Sequence, residues 1–360
     1  MLTRKERVKL VQDQVSREWH DYWWAFIMEN KGKIDWYHMS GNPNLIMKDV
    51  LDNPNNAWDW YWISRNRNIT MKDILNNLDK PWNWDMLSSN PNITLQDITD
   101  NPGFPWSWFH ISGNPNLTLN FVLANPDKPW NRSGISSNPN VTMKDITDNP
   151  DFQWSWDGIS KNPNLTMQFI LDNPDKPWNW DYISMNKNIT VKDIKAHPDK
   201  PWVWRCMSMN KNIPLPFIKE NMDKPWSWYW ISSNPNLTLD FVLANLDKSW
   251  YWYDIYSNLN IAVTDNTTNN LLHCDGIAEN PAISIKYIKD NQQSFYIKWT
   301  KVTKNPFTRD KEEYHLQQYR QHLSAYRIQQ HWHRIRSDPR HPVGRKRIER
   351  EYEQEFIHGK

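Results

Sequence analysis

Hydrophobic and polar positions recur along this chain in a block of 24 residues that repeats without insertion or deletion. In the block that begins at Asn90, a turn sequence Asn-Pro-Asn is followed by Ile93 and Thr94, and a further apolar position lies at Ile98. The first Asn recurs ten times, at Asn42, Asn66, Asn90, Asn114, Asn138, Asn162, Asn186, Asn210, Asn234 and Asn258. Such a fixed period is typical of solenoids, in which each repeat packs on its neighbours.

The first half of each block has the pattern of a short helix. Leu95 and Ile98 are three residues apart and share one helix face. Thr94 is a favourable N-cap, and Asp97 follows three residues later, as in a capping box with a shortened acid. We expect Asn101 to end this helix in the left-handed conformation, which Asn tolerates.

The second half of each block predicts another short helix. In Asp-Lys-Pro-Trp we expect Asp79 to be the N-cap and Pro81 to lie in the first turn, with Trp82, Trp84 and Leu87 as the apolar positions. Trp-x-Trp also has the two-residue period of a strand, but the alternation ends after Trp84. We therefore predict an all-α solenoid of ten helix-turn-helix repeats that pack through their tryptophans, with a β-containing solenoid as the alternative.

The repeats divide the chain into three segments. Residues 1–41 contain an N-terminal helix over residues 3–29, which we expect to cap the solenoid, and a partial repeat around Trp36. Residues 42–291 form the repeat solenoid. Residues 292–360 form a helical, basic C-terminal tail.

Charge and composition indicate an interaction protein. Residues 301–360 contain 14 Lys and Arg against 8 Asp and Glu, while the whole chain has a net charge of only +2. Cys206 and Cys274 are too few for a disulfide framework, and no apolar run is long enough to cross a membrane. We predict a protein that is not secreted and does not enter a membrane.

Two positions in the second half of each block vary while their neighbours do not. In repeat proteins, variable positions within a constant frame often mark the face that binds partners. The candidates for partner binding are Tyr61, Trp62, Phe109, His110, Tyr182, Arg205, Tyr229 and Trp230. Unconstrained surface would produce the same variation.

The C-terminal tail offers a second candidate surface. Its cations could contact a phosphate backbone, although neighbouring acids such as Glu349 would repel it. The cations concerned are Arg334, Arg336, Arg340, Arg345, Lys346 and Arg347. The chain contains no Gly-rich phosphate loop, Cys-x-x-Cys, His-Glu-x-x-His or Gly-x-Ser-x-Gly motif. We predict no catalytic residues, no metal site and no cofactor.

The repeat Asn-Pro-Asn-Ile/Leu-Thr followed by Asn-Pro-Asp-Lys-Pro-Trp-x-Trp resembles uncharacterised Trp-rich repeat proteins of giant DNA viruses of the mimivirus and marseillevirus kind. The segment from Tyr326 to Arg336 and the following Asp338-Pro339-Arg340-His341-Pro342 are similar to the C-terminal segment of other proteins of those viruses. The resemblance implies a location in the host cytoplasm or the virion, and it supplies no site residues.

These observations predict a non-enzymatic scaffold that mediates protein–protein interaction. With helices packed about 8–10 Å apart, ten repeats in an open array would extend over about 100 Å. A nucleic-acid-associated protein that binds through its basic tail and a structural virion component are the alternatives.

Overall fold

The computed structural model describes residues 4–258, 277–291 and 297–337, together with 342–343 and 346–347. The chain divides into two units, one of Met1–Glu29 with Thr308–Lys360 and the other of Asn30–Phe307. The second unit is the repeat array. It includes the half-repeats around Trp36 and Trp299, which the sequence analysis placed in the flanking segments.

Each repeat consists of two short helices. The first helices span Met47–Asp52, Met71–Leu75, Leu95–Asp100, Leu119–Ala124, Met143–Asp148, Met167–Asp172, Val191–Ala196, Leu215–Glu220, Leu239–Leu243 and Ile285–Asp290. The second helices span Trp36–Met39, Trp60–Arg65, Trp84–Ser88, Trp108–Ile111, Arg132–Ser136, Trp156–Lys161, Trp180–Met185, Trp204–Met207, Trp228–Ile231, Trp252–Ser257 and Trp299–Val302. Two 3-10 turns occur at Lys31–Lys33 and Ile277–Glu279. The described residues contain no strand, so the prediction of an all-α solenoid is confirmed and the β-containing alternative is not supported.

The capping of the first helices follows the sequence prediction. The N–H of Asp97 donates to Oγ1 of Thr94 at 3.1 Å, and Oδ2 of Asp97 accepts the N–H of Thr94 at 2.8 Å. The same capping box begins the helices at Thr70, Thr142 and Thr190. A local pattern of two residues therefore determines where these helices start.

The asparagine that ends each first helix is not left-handed, contrary to the prediction. Asn101 has φ −124° and ψ 60°, and its Nδ2 donates to the carbonyl of Asp97 at 2.8 Å. Its own carbonyl accepts the indole N–H of Trp106, also at 2.8 Å. The side-chain amide thus satisfies the helix end, and the backbone fixes the tryptophan that follows.

The second helix begins later than predicted. It starts at Trp84, and Oδ1 of Asn83 caps it by accepting the N–H of Met86 at 3.0 Å. Asp79, the predicted cap, lies before the helix and forms an ion pair with its neighbour Lys80. The reason lies in the preceding repeat, where Oγ of Ser64 accepts the N–H of Asn83 at 2.9 Å and holds it at the helix start.

Buried asparagines join successive repeats. Nδ2 of Asn90 donates to the carbonyls of Ser64 and Asn66, each at 2.9 Å, and Oδ1 of Asn90 accepts the N–H of Asn92 at 2.9 Å. Asn90 is therefore fully hydrogen-bonded although it is 1% exposed. Bonds to the preceding repeat form a ladder of twelve asparagines: Asn42, Asn66, Asn90, Asn114, Asn138, Asn162, Asn186, Asn210, Asn234, Asn258, Asn280 and Asn305. Each amide donates to the carbonyl of the ladder asparagine before it, except that the amide of Asn234 donates to the carbonyl of Ile213 at 3.2 Å.

The ladder closes on itself. Nδ2 of Asn42, the first member, donates to the carbonyls of Thr303 and Asn305 at 2.7 and 3.2 Å. The bond by which Ser64 holds the start of the next second helix also has a counterpart across the closure. There Thr303 takes the place of the serine, and its Oγ1 accepts the N–H of Asp35 at 3.4 Å. The array is therefore a closed ring, and the expectation of an open, extended solenoid is wrong.

Second helices form the inner layer of this ring. Adjacent second helices, such as Arg132–Ser136 and Trp156–Lys161, have several Cα atoms within 8 Å of each other, whereas adjacent first helices among the described residues do not. In a closed ring with a fixed number of repeats, the layer with the closer spacing has the shorter circumference. The first helices consequently form the outer layer.

Tryptophans pack between the repeats, as the sequence predicts. The ring of Trp60 meets Trp82 of the next repeat edge-on at 4.9 Å between centroids, and the indole N–H of Trp82 donates to the carbonyl of Asn77. Trp82 is buried, whereas Trp60 is half-buried. The second helix Arg132–Ser136 begins with arginine in place of tryptophan. The guanidinium of Arg132 lies 4.4 Å from the ring centroid of Phe152.

The other unit pairs two long helices, Arg4–Glu29 and Thr308–Ser337. Tyr314 lies 5.7 Å from Trp19 and 6.1 Å from Tyr22 between ring centroids. The helix predicted over residues 3–29 is therefore present, and the C-terminal helix contacts two of its aromatic residues through Tyr314. Within the described residues, no helix is both long and apolar enough to cross a bilayer.

Ring closure predicts that Asn42 contributes as much to the free energy of unfolding as a ladder asparagine in the middle of the chain. Asn42→Ala removes the donor to Thr303 and Asn305 and should lower the free energy of unfolding by about 2–3 kcal/mol, because buried acceptors lose their partner. Asn162→Ala should have the same effect, and the exposed Gln153→Ala should change stability by less than about 0.5 kcal/mol. Urea unfolding measures all three variants. A stable Asn42→Ala beside a destabilised Asn162→Ala would mean that the array is open.

Close packing of the inner layer predicts a strict requirement for glycine at Gly158. A Cβ there would lie 2.7 Å from the carbonyl oxygen of Ser133 and 2.7 Å from Cβ of Ser136. Gly158→Ala should therefore lower the free energy of unfolding by about 1–3 kcal/mol. Gly103→Ala is the matched control, since nothing lies within 4 Å of the added methyl group. Equal thermal melting temperatures for the two variants would contradict the inter-repeat spacing described above.

Candidate interaction surface

The candidate residues occupy the second and third positions of the second helices. Second-position residues such as Tyr61, Phe109, Arg205 and Tyr229 are exposed. Third-position residues are mostly half-buried between adjacent repeats, as are Trp62, His110 and Tyr182, while Trp230 is exposed. The short helix explains the difference, since its third residue lies against the preceding repeat.

Contacts between these positions link one repeat to the next. Nδ1 of His110 lies 3.4 Å from Oδ1 of Asp85 in the preceding repeat and 2.8 Å from Oγ of Ser107. Nζ of Lys161 lies 3.8 Å from the ring centroid of Tyr182. The candidate positions therefore form a continuous strip on the second helices.

Ring closure brings together aromatic residues from both ends of the array. Six of them have an exposed fraction between 37% and 58%. We call them the aromatic arc; in order around the ring they are Tyr229, Trp230, Tyr251, Tyr37, Tyr61 and Phe109. Tyr229 and Tyr251 stack with centroids 4.6 Å apart. Tyr37 and Tyr251 were not among the candidates for partner binding predicted from the sequence, although Tyr37 lies one period before Tyr61.

Outside the aromatic arc, the strip carries Tyr182, Arg205 and Cys206 together with a group of small and acidic residues. The group contains Ser133, Gly134, Asp157, Gly158 and Asp181. Gly158 is buried against the backbone of the preceding repeat, and a Cβ on Gly134 would lie 3.0 Å from Ser112. Sequence variation at these two glycines therefore results from packing, so variability alone does not mark a binding residue.

A polar cluster connects three consecutive ring positions within the aromatic arc, between Tyr251 and Tyr37. Nζ of Lys301 donates to the hydroxyl of Tyr253 at 3.0 Å and lies 3.4 Å from Oε2 of Glu279. The Tyr253 hydroxyl also donates to the Glu279 carboxylate. Burial and the Glu279 carboxylate together raise the pKa of Tyr253, so its hydroxyl remains a hydrogen-bond donor.

The cations of the C-terminal tail are only partly described. Arg334 is exposed near the end of the C-terminal helix, and Lys346 and Arg347 are exposed as well. The side chain of Arg336, and Arg340 and Arg345 as a whole, lie outside the described residues. Among the residues whose positions are described, no three His, Cys, Asp or Glu side chains are grouped to hold a metal ion.

A comparison with models of known protein families, with curated proteins and with solved structures finds no match to this chain.

The proximity of Asp181 to Cys206 of the next repeat predicts that the Asp181 carboxylate lowers the reactivity of the Cys206 thiol. Burial and the nearby Asp181 carboxylate raise the pKa of the Cys206 thiol. Asp181→Asn should lower this pKa towards its usual value and so increase the thiolate fraction at neutral pH. The rate of iodoacetamide alkylation, measured in a Cys274→Ser background, should rise. Asp157→Asn, one repeat further away, should leave the rate unchanged, and an equal response to both changes would contradict the contact.

Proposed function

We propose that this chain is a non-enzymatic repeat scaffold whose closed ring binds a protein partner through the aromatic arc. The observation that carries the proposal is the exposure of six Tyr, Trp and Phe side chains within eight consecutive positions of the twelve-position ring. Exposed apolar residues that cluster are typical of binding surfaces, and Trp and Tyr are enriched among residues that dominate binding energy.

The ring supports this function by fixing the spacing between anchors. Tyr229 and Tyr61 are far apart in sequence, but the bonds from Asn42 to Thr303 and Asn305 close the ring and fix the distance between their repeats across the closure. A rigid arrangement loses less conformational entropy when a partner binds. The partner would therefore contact residues from both ends of the array at once.

The resemblance to giant-virus repeat proteins adds a setting to this proposal. It favours a role during infection, with the protein in the host cytoplasm or packaged in the virion as a structural component. Mass spectrometry of purified virions tests the packaged alternative directly.

The exposed tail cations favour a second candidate function. Arg334, Lys346 and Arg347 are accessible to a phosphate backbone, and such contacts would associate the protein with nucleic acid. This candidate does not involve the ring, so it can be separated experimentally from the scaffold function.

Photo-crosslinking tests the protein-binding function. A benzophenone amino acid placed at Tyr61 and, separately, at Tyr229 should form an adduct with the same protein in cells that produce this chain. Leu123, which is 46% exposed on a first helix, is the matched control position and should form none. A discrete adduct at Leu123 as strong as those at the arc, or no adduct at either tyrosine, would reject the aromatic arc as the binding surface.

A further inference from the structure

Exposed cations flank the asparagine ladder. We call five of them the basic rim; each lies immediately before or after a ladder asparagine, and they are Arg65, Arg67, Lys161, Lys187 and Lys211. Lys304, beside Asn305, is half-buried. Among the described residues, one acid occupies an equivalent position, Glu279, and it is already bound to Tyr253 and Lys301.

The basic rim differs from the outer layer in how its charge is compensated. On the outer layer, lysines pair with acids, as in Lys144–Asp148, Lys195–Glu220 and Lys286–Asp290. Within the described part of the chain, no carboxylate lies within the 4.0 Å of an ion pair from any basic-rim residue. Arg65 and Lys161 instead lie over the rings of Trp62 and Tyr182, at 5.7 and 3.8 Å from the centroids.

Lys161, Lys187 and Lys211 lie in three consecutive repeats. Their spacing is set by the ladder, in which Nδ2 of Asn186 donates to the carbonyl of Asn162 at 2.9 Å and Nδ2 of Asn210 donates to that of Asn186 at 2.9 Å. These three lysines therefore follow the ring at successive steps of the ladder, whereas Arg65 and Arg67 both flank Asn66, four ladder steps before Asn162. A polymer with evenly spaced negative charges matches this arrangement.

The curvature of the ring restricts the kind of polymer. Twelve steps of about 8–10 Å between packed helices make a circumference of about 100 Å. Duplex DNA has a persistence length of about 500 Å and cannot follow so tight a curve without a large bending energy. A single strand is flexible, and half-buried Trp62 and Tyr182 offer aromatic surface beside the cations for unpaired bases.

The chemistry of the basic rim favours nucleic acid over an acidic protein. Lysine is depleted in the cores of protein–protein interfaces, whereas Lys and Arg make most contacts to phosphate oxygens. We propose that the basic rim binds the phosphate backbone of single-stranded nucleic acid without preference for base sequence. This binding is separate from the protein contact assigned to the aromatic arc.

Salt dependence provides the quantitative expectation. Each phosphate contact on a single strand contributes about −0.7 to the slope of log affinity against log salt concentration. Three to five contacts predict a slope between about −2 and −3.5. Loss of two contacts should therefore reduce its magnitude by about 1.4.

Fluorescence anisotropy with a labelled oligothymidylate tests the proposal on the full chain. Lys187→Gln/Lys211→Gln should weaken binding and reduce the salt slope as stated. The matched control Lys144→Gln/Lys286→Gln removes two lysines of the outer layer and should leave the slope unchanged. Arg67→Gln/Lys161→Gln provides an independent second rim variant, and circular dichroism melting verifies that each variant is folded.

Three results would overturn the proposal. The first is no binding of the oligonucleotide at low salt. The second is a slope that falls in the tail variant Lys346→Gln/Arg347→Gln and not in either rim variant, which would assign binding to the C-terminal tail. The third is competition by polyglutamate as effective as by unlabelled oligonucleotide, which would indicate an acidic protein partner instead.

Discussion

The hydrogen bonds of the buried asparagine ladder are the interaction on which the rest of the structure depends. Helices of four to six residues are not stable alone in water, so each repeat requires its neighbours. An asparagine amide that donates to two carbonyls and accepts one N–H fixes the register between repeats, because a buried amide in any other register would be left unsatisfied. The ladder continues at Asn280 and Asn305, where successive members are 22 and 25 residues apart in sequence.

Closure changes what the ends of the array must do. In an open solenoid the terminal repeats expose an apolar face and need caps. Here Asn42 and Asp35 bond to Thr303 as internal residues bond to theirs, so these repeats have two neighbours each. The half-repeat around Thr303 therefore packs as an internal repeat does, and the positive φ of 47° at Phe307 occurs where the chain leaves the ring.

The parts of the fold that could be predicted are those that depend on neighbours in sequence. The capping box of Thr94 and Asp97 is local and was correctly predicted, as was the all-helical class. The predicted cap at Asp79 was wrong because Ser64, in another repeat, determines where the second helix begins. Closure was not predicted, because Asn305 lies outside the regular period. At the surface, variability identified Tyr61 and Phe109 as candidates, but Gly134, at the position equivalent to His110, is a glycine because of packing.

The orientation of the second helices explains why the two proposed surfaces differ in chemistry. The second helices have the same orientation in every repeat. Their N-terminal ends therefore lie at one level of the ring and their C-terminal ends at another. Helix dipoles favour acids at the first level, where Asp157 and Asp181 lie, and cations at the second, where Arg65 and Lys161 lie. The aromatic arc belongs to the N-terminal level and the basic rim to the C-terminal level. Because the second helix has the same orientation in every repeat, an apolar and acidic surface forms at one level of the ring and a cationic surface at the other. Each surface can bind a different class of partner.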